Sequence, residues 1–210
     1  MTTPASQVRL LIVDDHPLMR EGIAAVVQHQ SDMCVVGEAA NGAEAVERHA
    51  ELQPDVTLMD LQMPRMDGLQ AMQRIRQRTP HARMLVLTTY RGDIQAWRAL
   101  KEGATGYLVK TTVRTSLVDA IRMVHGGGRW VPSDIAVEIA RHAGDEMLTD
   151  REVEVVRYIA LGHSNREVGA LLSVTEDTIK ARMKSILLKL NARDRTHAVT
   201  IALQRGLLQL

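Results

Sequence analysis

Three short apolar runs end abruptly on ionisable residues, and segments with helical periodicity separate them. Val8-Arg9-Leu10-Leu11-Ile12-Val13 ends on Asp14-Asp15, Val56-Thr57-Leu58-Met59 on Asp60, and Gly106-Tyr107-Leu108-Val109 on Lys110. Strand-like and helix-like segments alternate from Val8 to about His125, the pattern of a parallel sheet covered by helices on both faces. Strands are expected near 8–13, 33–38, 56–60, 84–88 and 106–109, with helices over 17–29, 41–52, 68–78, 93–102 and 114–125. Parallel strands send their carboxyl ends to one edge, where an open α/β sheet collects its ligands. Asp14, Asp15, Asp60 and Lys110 would therefore meet.

An acid after a strand often only caps the next helix, and either Asp14 or Asp15 taken singly fits that role. Asp60 does not, because Leu61-Gln62-Met63-Pro64 intervenes before any helix. The joint pattern points to chemistry. Crowded carboxylates bind a hard divalent cation, which suits phosphoryl transfer to one of them.

At 210 residues the chain exceeds the usual size of one domain, so two are expected. Apolar residues make up 45% but Phe is absent, so aliphatic side chains and Met must fill the interior, and stacking on unpaired bases is disfavoured. The single cysteine, Cys34, lies in the apolar run Met33-Cys34-Val35-Val36 and is expected to be a buried, inert thiol in a reducing compartment. The first residues lack a basic segment followed by an apolar one. No apolar stretch nears the roughly 18 residues that span a bilayer, so a soluble, cytoplasmic protein is expected. The eight histidines are dispersed, without zinc-ligand spacing.

The net charge of +1 hides an asymmetry: residues 148–210 carry ten Lys and Arg against seven Asp and Glu. Between Thr178 and Arg195, Lys180, Arg182, Lys184, Lys189, Arg193 and Arg195 face one acid, Asp194. Such a basic stripe suits either a phosphate backbone or an ordinary solvated helix face. Gly126-Gly127-Gly128 breaks the alternating pattern, a short helix is expected over Ser133–Arg141, and Ala143–Met147 reads as linker. Beyond it every segment looks helical. Asn41 with Glu44, Thr149 with Glu152 and Ser164 with Glu167 have capping-box spacing, Thr175 should cap a further helix, and Gly162 and Gly206 mark helix ends.

Asp14-Asp15, Asp60 with Met63-Pro64 and Asp67-Gly68, Thr88 after Met84-Leu85-Val86-Leu87, and Gly106-Tyr107-Leu108-Val109-Lys110 together resemble the receiver domain of two-component response regulators over about residues 6–125. The resemblance implies that Asp60 accepts a phosphoryl group from a sensor kinase's phosphohistidine. It further implies that Asp15 binds Mg²⁺ directly, Asp14 mainly through water, and Gln62 through its backbone carbonyl. Lys110 and Mg²⁺ would neutralise charge on the phosphoryl oxygens. Thr88 and Tyr107 resemble the family's switch pair, Thr88 turning toward the phosphoryl group and Tyr107 moving into the vacated space. Arg65 stands where the family often has glycine, and Thr111 where many members have proline. Bulky Tyr90, two residues past Thr88, is expected to slow hydrolysis of the acyl phosphate.

From Leu148, Leu-Thr-Asp-Arg-Glu-Val-Glu-Val-Val, Gly162-His163-Ser164-Asn165-Arg166-Glu167-Val168 and Thr175-Glu176-Asp177-Thr178-Ile179-Lys180 resemble the LuxR-type helix-turn-helix. The whole chain is then similar to the NarL/FixJ class. Periodicity agrees: Ile179, Met183, Ile186, Leu187 and Leu190 make one apolar stripe, leaving Lys180, Ala181, Lys184 and Ser185 opposite. On a helix in the major groove, Lys180, Ala181 and Lys184 would reach base edges and Arg166, Thr178 and Arg182 phosphates. For Arg166 the bland reading is a surface salt bridge with Glu167 or Glu176, and Lys189 is expected at the border of the core. The last helix, with Ala198, Ile201, Ala202 and Leu203, reads as core before dimer surface.

The expected architecture is thus a five-stranded, doubly wound receiver at 6–125, a linker with a short helix at 126–147, and a four-helix DNA-binding domain at 148–210. The expected function is a phosphorylation-controlled transcription regulator that binds double-stranded DNA, with a homodimer on a two-fold site, and not an enzyme with a released product. Two other readings are a metal-dependent phosphatase using Asp60, disfavoured by the absence of an Asp-x-Asp pair and a cap segment, and a phosphorylation-independent regulator whose receiver only dimerises.

Overall fold

The computed structural model describes residues 7–89, 93–141 and 148–208. Tyr90 and the linker 143–147 lie outside them. Five strands, β1 (Val8–Val13), β2 (Met33–Ala39), β3 (Val56–Asp60), β4 (Met84–Thr88) and β5 (Gly106–Val109), pair in parallel in the order β2-β1-β3-β4-β5. The chain leaves β1 for the edge strand β2 and returns to β3, so the order reverses beside β1 and β3. That reversal opens a crevice at the carboxyl edge.

Helices α1 (Pro17–Gln28), α2 (Gly42–Leu52), α3 (Gly68–Arg78), α4 (Asp93–Lys101) and α5 (Val113–His125) connect and flank the strands. Strand alternation divides the interior. Leu10, Ile12, Leu58, Leu85, Leu87 and Leu108 pack with Ile23 and Val27 of α1 and Leu117, Ile121 and Val124 of α5. Their neighbours Leu11, Met59 and Val86 are equally buried on the other face. Each such leucine or isoleucine contributes about 1.5–3 kcal/mol by leaving water. Cys34 is half-buried rather than fully enclosed, because β2 is the sheet edge and the edge residue is covered less completely than its run of apolar neighbours suggests.

Past Gly126-Gly127-Gly128 the chain still belongs to this sheet. Trp130 bridges Gly106; its carbonyl accepts from the Tyr107 amide at 2.7 Å and its amide donates to Thr105 at 3.2 Å. The compact first unit accordingly reaches Ser133.

The second unit takes up the chain at Asp134, one residue into α6 (Ser133–Arg141), and contains a four-helix domain of α7 (Asp150–Ala160), α8 (Asn165–Leu171), α9 (Glu176–Lys189) and α10 (Arg195–Gln204). Thr149 and Ser164 both form complete capping boxes, and Thr175 caps α9 through the Thr178 amide. Asn41 does not complete one: it caps α2, but Glu44 reaches back to the Ala40 amide. Ala198 and Ala202 are buried with Ile201 and Leu203 packed beside them, so α10 closes the core. None of the described helices is long and apolar enough to cross a membrane.

Candidate phosphoacceptor site and nucleic-acid interface

The three parallel runs end within one pocket. Asp14 follows β1, Asp60 closes β3 and Lys110 follows β5. Lys110 Nζ lies 2.7 Å from Asp14 Oδ2 and 2.8 Å from Asp60 Oδ2. Asp14 and Asp60 are essentially inaccessible, and the Lys110 side chain is only 8% exposed. Burial raises the Asp60 carboxyl, with Asp14 adding to the rise and Lys110 opposing it. Burial works to lower the Lys110 ammonium, but its two carboxylate partners outweigh it and raise it.

The capping explanation for Asp14 and Asp15 does not apply. His16 occupies the N-cap of α1 and makes no side-chain cap, Pro17 needs no amide partner, and Asp14 Oδ1 instead accepts the His16 amide at 2.9 Å. The His16 ring sits 2.8 Å from Asp15 and 3.3 Å from Asp14. Among the described residues, Asp14, Asp15, His16 and Asp60 form one group with ligand atoms within 4.8 Å of one another. His16 was not anticipated, although its position directly after Asp15 was available as a signal.

Two local devices hold Asp60. The Gln62 amide donates to Asp60 Oδ1 at 3.2 Å, starting the loop that follows β3. Asp67 then caps α3, and Gly68 brings that helix against the strand end, where a Cβ would collide with the Asp60 carbonyl and crowd Leu61. Arg65 adopts φ +70°, which explains why glycine suits this loop position.

Thr88 closes β4 and is fully buried, as is Tyr107 in β5. Their side chains are hydrogen-bonded, and burial pushes the Tyr107 phenol well above its ordinary range. The inward Tyr107 position is therefore present in this structure, with Thr88 as its partner.

Three carboxylates against one ammonium leave about two negative charges at a hard-oxygen site. Asp14 Oδ2 and Asp15 Oδ1 are buried and accept no well-oriented hydrogen bond, although Lys110 and the His16 ring lie close to them. The donor set fits a divalent cation of the Mg²⁺ type.

In the second unit, Gly169 lets α8 turn tightly into α9: a Cβ there would lie 2.8 Å from the Val174 carbonyl. Ile179, Met183, Ile186 and Leu190 are buried, while Lys180, Ala181 and Lys184 are exposed on the other side of α9. Thr178 and Arg182 are half-buried at its borders. Arg166 is exposed on α8 and forms no salt bridge among the described residues. Lys180 is paired within its helix, 3.0 Å from Glu176 and 3.2 Å from Asp177.

Ser185 departs from the expected outward position. It donates to Glu152 of α7 at 2.7 Å, and Lys189 meets the same carboxylate at 3.0 Å. Glu152 is buried, which alone would raise its carboxyl, but bonds from Thr149, Ser185 and Lys189 hold it down at about 2. The sequence marks Glu152 as a capping residue; that it also fastens α9 appears only when α7 and α9 pack.

Residues 10–122 match the family of the response regulator receiver domain, and residues 146–202 that of bacterial regulatory proteins of the luxR family. Response regulator protein VraR from Staphylococcus aureus is 39% identical, and that from Staphylococcus saprophyticus 37%; each comparison covers 96% of this chain and 99% of the relative. Among solved structures, a LuxR-family two-component response regulator from Aurantimonas is 38% identical with TM-score 0.63, covering 66% of this chain and 99% of that one. RcsB from Salmonella enterica serovar Typhimurium, bound to promoter DNA in the presence of phosphomimetic BeF₃⁻, is 25% identical with TM-score 0.70, covering 96% and 100%. The acidic edge and the helix-turn-helix thus occur in one known order, and the chain belongs to the response regulators that join a receiver domain to a luxR-family regulatory domain.

Proposed function

We propose that Asp60 is the phosphoacceptor and α9 the DNA-reading element of a transcription regulator. The observation that carries the reading is the convergence of Asp14, Asp60 and Lys110 at 2.7–2.8 Å on the carboxyl edge of the sheet. An Asp60 oxygen attacks the phosphorus of a sensor kinase's phosphohistidine; the P–N bond breaks and the imidazole leaves with the electron pair. Lys110 offsets charge on the phosphoryl oxygens, and the loop amide of Gln62 fixes the carboxylate's direction. Asp14, Asp15, Asp60 and the Gln62 carbonyl would hold Mg²⁺. When bound, that ion supplies further neutralisation of the transferring group.

The phosphoryl group stays on Asp60 until water slowly removes it as inorganic phosphate and restores the carboxylate, so the chain is a regulator rather than a turnover enzyme. Thr88 and Tyr107 form its switch: a hydroxyl drawn to an aspartyl phosphate changes the partner that Tyr107 has now, and with it the surface beside β5. The output is double-stranded DNA, with Lys180, Ala181 and Lys184 at bases and Arg166, Thr178 and Arg182 at phosphates. Two copies on a two-fold site complete the reading.

Acetyl phosphate with Mg²⁺ should label the wild type and not Asp60→Asn, and labelling should change DNA affinity in a mobility-shift titration. DNA binding with no labelling would instead favour a phosphorylation-independent regulator with a dimerising receiver.

A further inference from the structure

The side of α9 turned away from its own core carries an acid as well as cations. Ile179, Met183, Ile186 and Leu190 mark the inner stripe. At 100° per residue, Ala181 and Asp177 lie opposite that stripe, with Lys184 to one side of them. The Asp177 side chain is 91% exposed, and its one partner among the described residues is Lys180, at 3.2 Å. Glu176 takes the same ammonium at 3.0 Å.

A carboxylate in a first helical turn stabilises the helix through the backbone dipole wherever it points. Glu176 in the same turn supplies that without occupying the centre of the outward side. Asp177 does occupy it, one turn ahead of Ala181. For a helix lying in the major groove, that direction meets base edges, and phosphates flank it. Phosphates repel a carboxylate whatever the sequence, whereas the major groove offers it amino donors at cytosine N4 and adenine N6, and adenine's N7 acceptor beside N6 repels a carboxylate, which leaves cytosine N4 as the matching partner.

We infer that Asp177 is a specificity-determining residue: it accepts a hydrogen bond from cytosine N4 in double-stranded DNA, and its charge weakens binding to every other sequence. In the unbound chain Asp177 and Glu176 both pair with Lys180, so a donor for Asp177 on the DNA also leaves the ammonium freer to make a contact of its own. The inference rests on the DNA-binding reading above and adds to it a residue and a base.

The test uses the full chain and a preferred duplex obtained by selection from a random pool. Every single base-pair variant of that duplex, and random DNA, are titrated with wild type, Asp177→Ala and Asp177→Asn at two salt concentrations. Wild type should lose about tenfold at one C·G pair. Asp177→Ala should lose discrimination at that pair alone while its random-DNA affinity rises severalfold. Asp177→Asn, which loses the charge and gains an amide donor suited to adenine, should relax the cytosine preference or shift it toward adenine at that pair, and share the gain on random DNA. An unchanged base profile in both variants, with only a lower melting temperature, would mean that Asp177 serves the helix and would overturn the inference. Wild type that prefers no duplex over random DNA would remove the DNA-binding reading itself, a result recognisable because it appears before any substitution.

Discussion

Glu152 and Lys189 stand 37 residues apart in the sequence and meet at 3.0 Å, both nearly buried. The pair joins the start of α7 to the last turn of α9, with Ser185 on the second carboxylate oxygen. A carboxylate so placed makes stability depend on pH. Its folded value of about 2 lies below its ordinary 4.5. Its contribution is therefore complete above about 4.5 and is lost as pH falls toward 2. The expected loss is at most about 3 kcal/mol. Acid unfolding of the second unit, followed by circular dichroism, should shift toward neutral pH little or not at all in Glu152→Gln, which begins already weakened. If wild type and Glu152→Gln show parallel stability profiles between pH 5 and 2, the carboxylate is not the coupled group.

Lys110 cancels part of the charge of Asp14 and Asp60. Lys110→Met should therefore bind Mg²⁺ several-fold more tightly, because the pocket's excess negative charge rises by one. The same variant should accept phosphate more than tenfold more slowly, since charge on the phosphoryl oxygens loses its ammonium partner. Calorimetric Mg²⁺ titration and phosphate labelling separate these opposite effects. An unchanged Mg²⁺ affinity would show that Lys110 does not share the field of the cation site.

Gly68→Ala places a methyl group against the Asp60 carbonyl and the Leu61 backbone. Backbone cannot step aside as a side-chain tip can, so α3 must withdraw or the strand end must shift. A cost of about 1–3 kcal/mol is expected in urea denaturation, with slower labelling of Asp60 in the folded fraction. Full stability together with full labelling would mean that the turn adapts freely.

Arg65 holds a left-handed backbone at φ +70°. Arg65→Gly removes the Cβ conflict but gives the unfolded chain more freedom. The first effect should prevail by about 0.5–1 kcal/mol, raising the urea midpoint without a change in slope. A lowered midpoint would indicate that the arginine side chain contributes an interaction larger than the backbone strain.

The sheet and its site were legible because each rests on short-range patterning. Apolar runs of strand length alternate with amphipathic helices, and a parallel sheet places every run's end on one edge. Ionisable residues at those ends must then meet. The caps at Thr149, Ser164 and Thr175 were equally local, requiring only spacing within a single turn. Spacing did not decide everything: Glu44 accepts from the Ala40 amide and the Asn41 side chain, so the capping box that its spacing suggests is not completed.

What the sequence by itself determined is the order of the elements, the edge where Asp14, Asp15, Asp60 and Lys110 meet, and the outward stripe of α9. Packing alone decided the rest. Ser185 looked solvent-facing by helical angle but lies toward α7, because a buried Glu152 takes donors from α9 in addition to those of its own cap, Thr149. Cys34 looked buried by its neighbours but is half-exposed, because strand order, which no single run encodes, made β2 an edge. Thr88 and Tyr107, on adjacent strands, share a hydrogen bond. In each case the deciding partner is distant along the chain, and only the tertiary fold brings its hydrogen-bonding demand or its cover into reach.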